Sequence, residues 1–423
     1  MPFFFRLFLR SELMTPLTIN IHNAISALSS ALDLVGVDEI MHGKRVASIA
    51  LAIAQQLHWS DADCLSILHA GMLHDCGVSK IIEHRQLTET LEWEGAEDHC
   101  IRGALYLSEC QPLAYLATAI RYHHTRWEDL QNLNMDECTR LHTNLLFLAD
   151  RIDVLQAPML CSNAILINYP EIIARIQTLS GLLFAPVLVD AFAQIANQEA
   201  FWLAMEPDYL DEDLRLIGKN APATLLNMVD LKDLARLFSR VVDAKSPFTV
   251  EHSQRVATIA RHLAAEFGRS AELLDQIEIA GLLHDIGKLR VSEDIIDKPS
   301  SLTSEERAMM HRHSYDTYRI LRRVFGDSQI PFWAGLHHET LIGDGYPFKT
   351  QQNALDLECR IIAVADIFQA LAQERPYRAG MHLENIISDM QARVTDGHLD
   401  AQVVAKLIAD AERYFHLAIS ETE

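Results

Sequence analysis

Glycine, proline and basic residues are scarce in this sequence, and each shortage excludes a class of protein. Only 17 Gly and 13 Pro occur among 423 residues, and no low-complexity run is present, which excludes collagen-like, fibrous and disordered chains. Lys and Arg number 36 against 58 Asp and Glu, so the formal net charge is −22. Because long nucleic acids are held by many basic contacts to phosphate, we expect no long nucleic acid as a partner.

Long apolar runs and paired cysteines are also missing. The apolar N-terminal segment MPFFFRLFLR is about nine residues long and is interrupted by Arg6, whereas a bilayer span needs roughly 20 residues. No signal-peptide cleavage site is recognisable, and Met14 is a second candidate for the initiator. The seven cysteines contain no Cys-x-x-Cys pair. We therefore expect no membrane association and a reduced, cytoplasmic location, with the cysteines as small core residues.

Histidine, by contrast, is abundant, with 20 residues, and apolar residues make up 49% of the chain, enough for a packed core. The sequence also repeats itself. KRVASIALAIAQQL, from Lys44, corresponds to QRVATIARHLAAEF, from Gln254; HAGMLHDCG, from His69, corresponds to IAGLLHDIG, from Ile279; and both pairs are offset by 210 residues. Further His-His and Ala-Asp pairs recur in the same order. This pattern indicates two copies of one domain.

The boundary between the copies is predicted at residues 206–222, EPDYLDEDLRLIGKNAP, a polar and acidic stretch with two prolines and a glycine. The first copy then covers 18–205 and the second 223–423, joined by that linker. Apolar residues recur at helical spacing in both copies, whereas alternating strand patterns are scarce. We therefore predict an all-α fold of two tandem helical bundles.

Residue types that bind metals recur in order along the second copy: His252, His284, Asp285, His313, His337, His338 and Asp366. His252 and His284 lie on the apolar stripes of their predicted helices and therefore point inward, where a lone imidazole needs a partner. Histidines that converge from several helices form metal sites in helical bundles. Imidazole with carboxylate suits Mn, Fe, Zn or Ni rather than Ca. We expect a metal centre in this copy, with Asp285 placed to bridge two ions.

Three motifs in the second copy then point to a family. HDIGK (284–288), HHETLIGDGYP (337–347) and ADIFQALAQERPYR (365–378) resemble the HD-GYP phosphodiesterases of the HD metal-dependent phosphohydrolase superfamily. The resemblance covers essentially the whole second copy. It implies an all-helical domain of the HD type that hydrolyses a bacterial cyclic dinucleotide, either cyclic di-GMP or 3'3'-cyclic GMP–AMP, to a linear dinucleotide.

The resemblance also implies a role for each matching residue, with two divalent ions (Mn or Fe, with Ni and Zn as alternatives) joined by Asp285. The residues that match the ligands of the two ions are His252, His284, Asp285 and Asp366 for one, and His313, His337 and His338 for the other. By the same resemblance, Lys288 and Asp285 would be the catalytic residues. Lys288 would offset negative charge on a nonbridging phosphate oxygen or on the leaving group. The residues that match substrate-binding positions are Gly345, Tyr346, Pro347, Arg375 and Arg378.

The second copy departs from the family pattern at a few positions. Ile342 stands where an Asp is usual, Gln369 where a second Asp is common, and Thr317 where a Gly is common. These departures leave the substrate preference open. Phe248 occupies a position at which some members carry a Glu for a third metal, so we expect two ions rather than three.

The first copy keeps the metal-type residues in register, and they form a second candidate metal site: His42, His74, Asp75, His99, His123, His124 and Asp150. Val78 stands in place of the lysine, and this copy has neither a GYP loop nor the Arg-Pro-Tyr-Arg segment. The degenerate copy is a structural or dimerising domain, a regulatory domain that binds metal or nucleotide, or a phosphatase that removes the terminal phosphate from the linear product. The sequence leaves these alternatives open.

Three functions compete for the whole chain: a cyclic-dinucleotide phosphodiesterase, a catalytically silent cyclic-dinucleotide receptor that acts through protein partners, and a generic HD nucleotidase. Lys288 and the complete ligand set favour the phosphodiesterase, and the GYP loop argues against the nucleotidase for the second copy. Ile342 and Gln369 keep the receptor as the alternative. The sequence does not decide whether the chain forms a homodimer.

Overall fold

The computed structural model describes residues 17, 19–35, 41–78, 80–89, 95–160, 162, 164–221, 224–246, 251–374 and 380–419 of the 423. The chain divides into two units: an N-terminal unit of Asn20–Leu225, and a C-terminal unit formed by the residues from Leu226 onward together with Ile19. The segment MPFFFRLFLR, Phe248, Arg375 and Arg378 lie outside the described residues. Among the described helices, none is both long and apolar enough to cross a bilayer.

Helices build almost all of the described N-terminal unit. They are α1 (Ile21–Leu32), α2 (His42–Gln56), α3 (Asp61–Leu73), α4 (Ile81–Glu89), α5 (Ala96–Ser108), α6 (Ala117–Arg121), α7 (Trp127–Leu130), α8 (Glu137–Gln156), α9 (Ala164–Thr178), α10 (Pro186–Ala196), α11 (Glu199–Leu203) and α12 (Pro207–Asn220), with 3₁₀ helices at Gln111–Leu116 and Ala157–Met159. Two short strands, β1 (Ile19–Asn20) and β2 (Leu225–Leu226), pair with each other and so join the two ends of this unit.

The described C-terminal unit is likewise helical. Its helices are α13 (Met228–Asp243), α14 (His252–Glu266), α15 (Ala271–Leu283), α16 (Glu293–Ile296), α17 (Ser304–Phe325), α18 (Ile330–Gly335), α19 (Leu357–Ala372), α20 (Leu383–Thr395), α21 (Ala401–Ala409) and α22 (Ala411–Ile419), with 3₁₀ helices at Ile286–Arg290 and Gln352–Ala354. The predicted all-α fold is therefore confirmed.

The same local signals start equivalent helices in the two units. The Ser60 hydroxyl accepts a hydrogen bond from the amide of Asp63 at 3.2 Å and caps α3, and the Ser270 hydroxyl accepts from the amide of Leu273 at 3.3 Å and caps α15. Apolar residues at helical spacing then form the inward faces. On α14 the buried ones are Val256, Ala257, Ile259, Ala260, Leu263 and Ala264.

The structure differs from the linker predicted at 206–222. Most of that stretch forms α12, with Pro207 at the first helical position, where its missing N–H costs nothing. Leu210 and Leu214 are buried, and α12 contacts α2 within the N-terminal unit. The polar composition indicated a linker, but apolar side chains four residues apart give the helix an inward face. The boundary between the units therefore falls after α12, at β2.

A close approach of two backbones positions the turn that follows His284 and Asp285 in the C-terminal unit. A methyl group added at Gly287 would lie 2.0 Å from the carbonyl oxygen of His313, so only glycine lets the 3₁₀ helix Ile286–Arg290 pack on α17. Gly77 stands in the same relation to His99, also at 2.0 Å. The glycine after each His-Asp pair thus brings that pair next to the third histidine of its unit.

Candidate metal centre

Five parts of the C-terminal unit contribute the seven side chains that the sequence singled out. His252 begins α14, His284 and Asp285 follow α15, and His313 lies within α17. The pair His337–His338 follows α18, and Asp366 lies within α19. Six of the seven residues are buried, and His338 is half-buried. The structure therefore brings all seven together in the interior of one unit.

Asp285 lies between two groups of imidazoles. Its Oδ2 is 3.5 Å from Nε2 of His252 and 3.3 Å from Nε2 of His284. Its Oδ1 is 3.4 Å from Nε2 of His313 and 3.8 Å from Nε2 of His337. One carboxylate thus faces both groups through different oxygens, which is the geometry of a bridging ligand.

The other carboxylate, Asp366, belongs to one of the two groups. Its Oδ1 lies 3.4 Å from Nε2 of His252 and 3.8 Å from Nε2 of His284. Within each group, the potential ligand atoms lie within 4.8 Å of one another. The two groups are His252, His284 and Asp366, and His313, His337 and His338. Each group is compact enough to surround a single ion.

Buried atoms without a hydrogen-bond partner show that these residues fit a metal ion. Nε2 of His252, Nε2 of His284 and Oδ1 of Asp285 have no hydrogen-bond partner among the described residues. Burying a polar atom in this way costs free energy unless something satisfies it. A divalent cation at the centre would satisfy all three atoms at once.

Three imidazoles of the centre have their outer nitrogen hydrogen-bonded to a backbone carbonyl. Nδ1 of His284 donates to the carbonyl of Gly281 at 2.7 Å, and Nδ1 of His337 donates to the carbonyl of Ala334 at 2.6 Å. Nδ1 of His313 has the same relation to Met310, at 2.5 Å. Because Nδ1 carries the proton, the Nε2 lone pair points to the centre as a ligand.

Gln369 and Thr317 hold ligands in place, a role that sequence reasoning missed. The Gln369 amide oxygen accepts from Nδ1 of His252 at 2.5 Å. The Thr317 hydroxyl donates to the carbonyl of His284 and accepts from the amide of Gly287, both at 3.0 Å. The only sequence signal was that both positions depart from the family pattern, which was read as a question of substrate preference.

Burial and charge set the protonation of the two groups without metal. Burial lowers the pKa of His313 to about 4 and that of His337 to about 3, so both are neutral and able to bind metal at pH 7. Burial by itself lowers the pKa of His252, but the nearby carboxylates of Asp285 and Asp366 together have the larger effect and raise the pKa of His252 to about 10. A metal entering that group must therefore displace a proton.

Lys288 and the GYP loop border the centre. The Lys288 ammonium contacts Oδ2 of Asp285 and stays partly exposed, with 23% of its side-chain surface accessible. Tyr346 donates its amide to the carbonyl of His338 at 3.2 Å, and its ring stacks on His311 at 3.8 Å. The Glu339 carboxylate accepts two further loop amides. The loop is thereby fixed beside the second imidazole group.

Of the other predicted substrate-binding residues, Gly345 and Pro347 are described by the structure, whereas Arg375 and Arg378 are not. Gly345 packs against backbone, since an added methyl group would lie 2.5 Å from the carbonyl oxygen of His338. The peptide bond between Tyr346 and Pro347 is cis. Ile342 is 54% exposed and takes no part in the centre. For Arg375 and Arg378, which lie outside the described residues, the predicted substrate contacts stay predictions.

The N-terminal unit assembles its seven candidate residues in the same way. Oδ2 of Asp75 lies 3.7 Å from Nε2 of His42 and 3.4 Å from Nε2 of His74. Oδ1 of Asp75 lies 3.4 Å from Nε2 of His99 and 4.0 Å from Nε2 of His123. Asp150 completes the arrangement, with Oδ1 at 3.5 Å from His42 and Oδ2 at 3.7 Å from His124. Each unit therefore brings seven His and Asp side chains together around a central carboxylate.

Other side chains around the N-terminal centre have no counterpart in the second. Val78 is buried where Lys288 stands in the other unit. The buried Arg151 donates to Oδ2 of Asp150 at 2.6 Å. His84 lines a cavity with His42 and other centre residues, and its ring centroid is 6.2 Å from that of His42. Neither Arg151 nor His84 was identified from the sequence.

Residues 40–155 and 236–403 each match the HD domain family. The 3'3'-cGAMP-specific phosphodiesterase 1 of Vibrio cholerae is 39% identical over 96% of this chain and 95% of the relative. The chain belongs to the HD-GYP phosphodiesterase family. The predicted enzyme class, a metal-dependent phosphohydrolase, and the predicted tandem of HD domains are thereby confirmed.

Other HD-GYP relatives are similar over parts or most of the chain. The 3'3'-cGAMP-specific phosphodiesterase 3 of V. cholerae is 32% identical over 70% of this chain and 63% of the relative. A cyclic di-GMP phosphodiesterase of Pseudomonas aeruginosa is 31% identical over 51% of this chain and 49% of the relative. The crystal structure of a cyclic GMP-AMP-specific phosphodiesterase of V. cholerae has a TM-score of 0.63 and 25% identity, over 93% of this chain and 98% of that one.

Proposed function

We propose that the C-terminal unit hydrolyses 3'3'-cyclic GMP–AMP to a linear dinucleotide, with cyclic di-GMP as the second candidate substrate. The observation that carries this proposal is the position of Asp285, within 3.8 Å of imidazoles from both ligand groups. The relative that matches nearly the full chain is named for 3'3'-cGAMP, which favours that substrate over cyclic di-GMP.

In this proposal the two ligand groups would hold two divalent ions, and Asp285 would be a ligand of both. One ion would take His252, His284, Asp285 and Asp366, and the other Asp285, His313, His337 and His338. When bound, such a pair supplies an activated water and neutralises charge on phosphoryl oxygens. The mixture of imidazole and carboxylate suits Mn or Fe, with Ni and Zn as alternatives.

The chain's own side chains then position the substrate. The partly exposed ammonium of Lys288 lies at the edge of the centre, where it offsets negative charge on a nonbridging phosphate oxygen or on the leaving oxygen. The stack of Tyr346 on His311 holds the GYP loop as a wall beside His338. Arg375 and Arg378 are proposed as further phosphate or guanine contacts because a guanidinium suits both.

We further propose that the N-terminal unit does not catalyse the first cleavage. Val78 supplies no charge at the lysine position, and no GYP loop follows His124. The retained ligand set supports a structural or regulatory role, or removal of the terminal phosphate from the linear product. Self-association of the chain stays a prediction.

Product analysis tests the proposal directly. Purified manganese-loaded protein is incubated with 3'3'-cyclic GMP–AMP or with cyclic di-GMP, and the products are separated by chromatography. We expect a linear dinucleotide, formed faster from cyclic GMP–AMP. Asp285→Ala should abolish this step and lower the metal content.

The matched control is Asp75→Ala, which alters the equivalent carboxylate of the other unit. It should leave the first cleavage intact, and loss of terminal-phosphate removal in this variant alone would assign that step to the N-terminal unit. A large loss of first cleavage in folded Asp75→Ala would instead support a regulatory role. If neither dinucleotide is hydrolysed by metal-loaded protein, the proposal is wrong and the silent receptor takes its place.

A further inference from the structure

One thiol lies among the imidazoles of the N-terminal centre and belongs to none of the predicted ligand sets. The potential ligand atoms of His99, Cys100, His123 and His124 all lie within 4.8 Å of one another. Sγ of Cys100 is 3.7 Å from Nε2 of His99, which is itself 3.3 Å from Nε2 of His123. A tetrahedral ion with bonds of about 2.0–2.3 Å fits ligand atoms this close together.

One buried atom of this cluster lacks a partner. Nε2 of His124 has no hydrogen-bond partner among the described residues. His99 is fully buried, and the His124 side chain is 10% exposed. Cys100 is also buried, and its thiol donates to the carbonyl of Ala96 at 3.2 Å. An interior cluster of three imidazoles and a thiol is costly without an ion to satisfy it.

The C-terminal unit provides an internal comparison, because it has a serine at the position equivalent to Cys100. Ser314 follows His313 as Cys100 follows His99, and its hydroxyl oxygen lies 3.2 Å from Nε2 of His313. The two units therefore differ at this position by one sulfur in place of one oxygen. A hydroxyl is a poor ligand for a soft ion, whereas a thiolate is a strong one.

A buried cation next to Asp150 also distinguishes the N-terminal centre from the C-terminal one. The guanidinium of Arg151 donates to Oδ2 of Asp150 at 2.6 Å, and both side chains are buried. In the C-terminal unit Ile367 stands next to Asp366 instead, so that carboxylate has no such neighbour in the chain. A positive charge on the carboxylate weakens its attraction for a metal. Asp150 is thus a weaker metal ligand than Asp366, and a thiolate from Cys100 would supply the N-terminal centre with negative charge in its place.

We propose that His99, Cys100, His123 and His124 bind a zinc-class ion through the Cys100 thiolate. As the sulfur–metal bond forms, the thiol proton is released to solvent. Thiolate with imidazole selects zinc, whereas the imidazole–carboxylate set of the C-terminal unit suits manganese or iron. One chain then carries two metal centres of different chemistry. This proposal does not depend on which dinucleotide the C-terminal unit hydrolyses.

Cobalt substitution tests the thiolate directly. Metal-free full-length protein is loaded with Co²⁺, and its near-ultraviolet absorption is searched for the charge-transfer band that a cobalt–thiolate bond produces. We expect the band in the wild type and its loss in Cys100→Ser, which installs the side chain found at this place in the C-terminal unit. Cys64→Ser, at a buried cysteine of the same unit outside the cluster, is the matched control and should keep the band.

Zinc affinity and local structure complete the test. In the Cys100→Ser variant, the N-terminal unit should bind zinc at least about tenfold more weakly, because even changes of outer-shell residues alter metal affinity on that scale. The far-ultraviolet circular dichroism should not change. X-ray absorption of the zinc-loaded wild type should show a sulfur neighbour at about 2.3 Å, and this measurement needs no variant. A cobalt-loaded wild type without the band, a band that persists in Cys100→Ser, or a zinc shell without sulfur would overturn the proposal.

Discussion

Lys288 contacts Asp285 and also reaches solvent, so a single ammonium adjoins both the ligand set and the space for substrate. We predict that Lys288→Ala lowers kcat by about 10²–10³-fold, the usual cost of removing one group that stabilises transition-state charge. Metal content should not change. Steady-state kinetics and elemental analysis of the same preparation check both statements. A parallel loss of metal would show that Lys288 serves to hold Asp285 rather than the substrate.

A buried histidine pair makes the N-terminal unit sensitive to acid. Nδ1 of His22 lies 3.2 Å from Nε2 of His69, whose Nδ1 lies 3.0 Å from the Tyr115 hydroxyl. Burial, together with His22, lowers the pKa of His69 to about 3. Between that value and about 6.5 the unfolded chain binds a proton at this residue that the folded chain does not. The free energy of unfolding therefore falls as pH falls below 6.5.

We predict that the free energy of unfolding falls by about 1.4 kcal/mol for each pH unit between pH 6.5 and 5, for each proton that this pair takes up on unfolding. His69→Gln should reduce the pH dependence of unfolding of the metal-free protein by about one proton, as measured by calorimetry at several pH values. His58→Gln, at an exposed histidine of the same unit, is the matched control. An unchanged slope in His69→Gln would mean that His69 is already protonated in the folded protein.

At the scale of elements, the contact between the 3₁₀ helix Ile286–Arg290 and α17 controls the C-terminal centre. Because a side chain at Gly287 would meet the carbonyl of His313, Gly287→Ala should push these elements apart and break both hydrogen bonds of Thr317. We predict a loss of stability of about 1–3 kcal/mol, typical of overpacking, together with weaker metal binding and slower cleavage. Calorimetry and metal titration measure these effects.

Gly77→Ala is the matched variant in the N-terminal unit, where the same clash involves the carbonyl of His99. It should weaken metal binding in that unit and leave the first cleavage unchanged. If Gly77→Ala slowed the first cleavage as much as Gly287→Ala does, the proposal that the C-terminal unit alone catalyses this cleavage would be wrong.

The sequence predicted the helices, and it identified the His and Asp side chains that the structure brings together, because both depend on local or repeated patterns. Apolar periodicity marks helices, and two ordered copies of the same His and Asp residues mark equivalent positions. Hydrogen bonds between distant residues could not be predicted in this way, since the contact of Gln369 with His252 spans 117 residues. Nothing in the sequence pointed to the role proposed for Cys100, because a buried helical cysteine resembles any small core residue. The polar composition of residues 206–222 indicated a linker, whereas most of that stretch forms α12.

At the scale of the whole molecule, the net charge of −22 opposes an anionic substrate. Raising ionic strength from 0.01 to 0.15 M shortens the Debye length from about 30 to about 8 Å and screens this long-range repulsion. We predict that kcat/KM for cyclic GMP–AMP rises by up to about tenfold over this range, while kcat changes little. Stopped-flow or initial-rate kinetics at several salt concentrations measure this. A fall in kcat/KM would show that the local positive charge near Lys288 controls substrate capture instead.

The paired strands β1 and β2 place the entry and exit of the N-terminal unit side by side, with the amide of Ile21 donating to the carbonyl of Thr224 at 2.9 Å. A segment closed in this way can be copied within a gene, or moved to another one, without rerouting the chain on either side of it. The N-terminal HD bundle is therefore a closed unit that can be duplicated or exchanged as a whole. A duplicated unit could lose Lys288 and the GYP loop and gain Cys100 while its twin kept the original set.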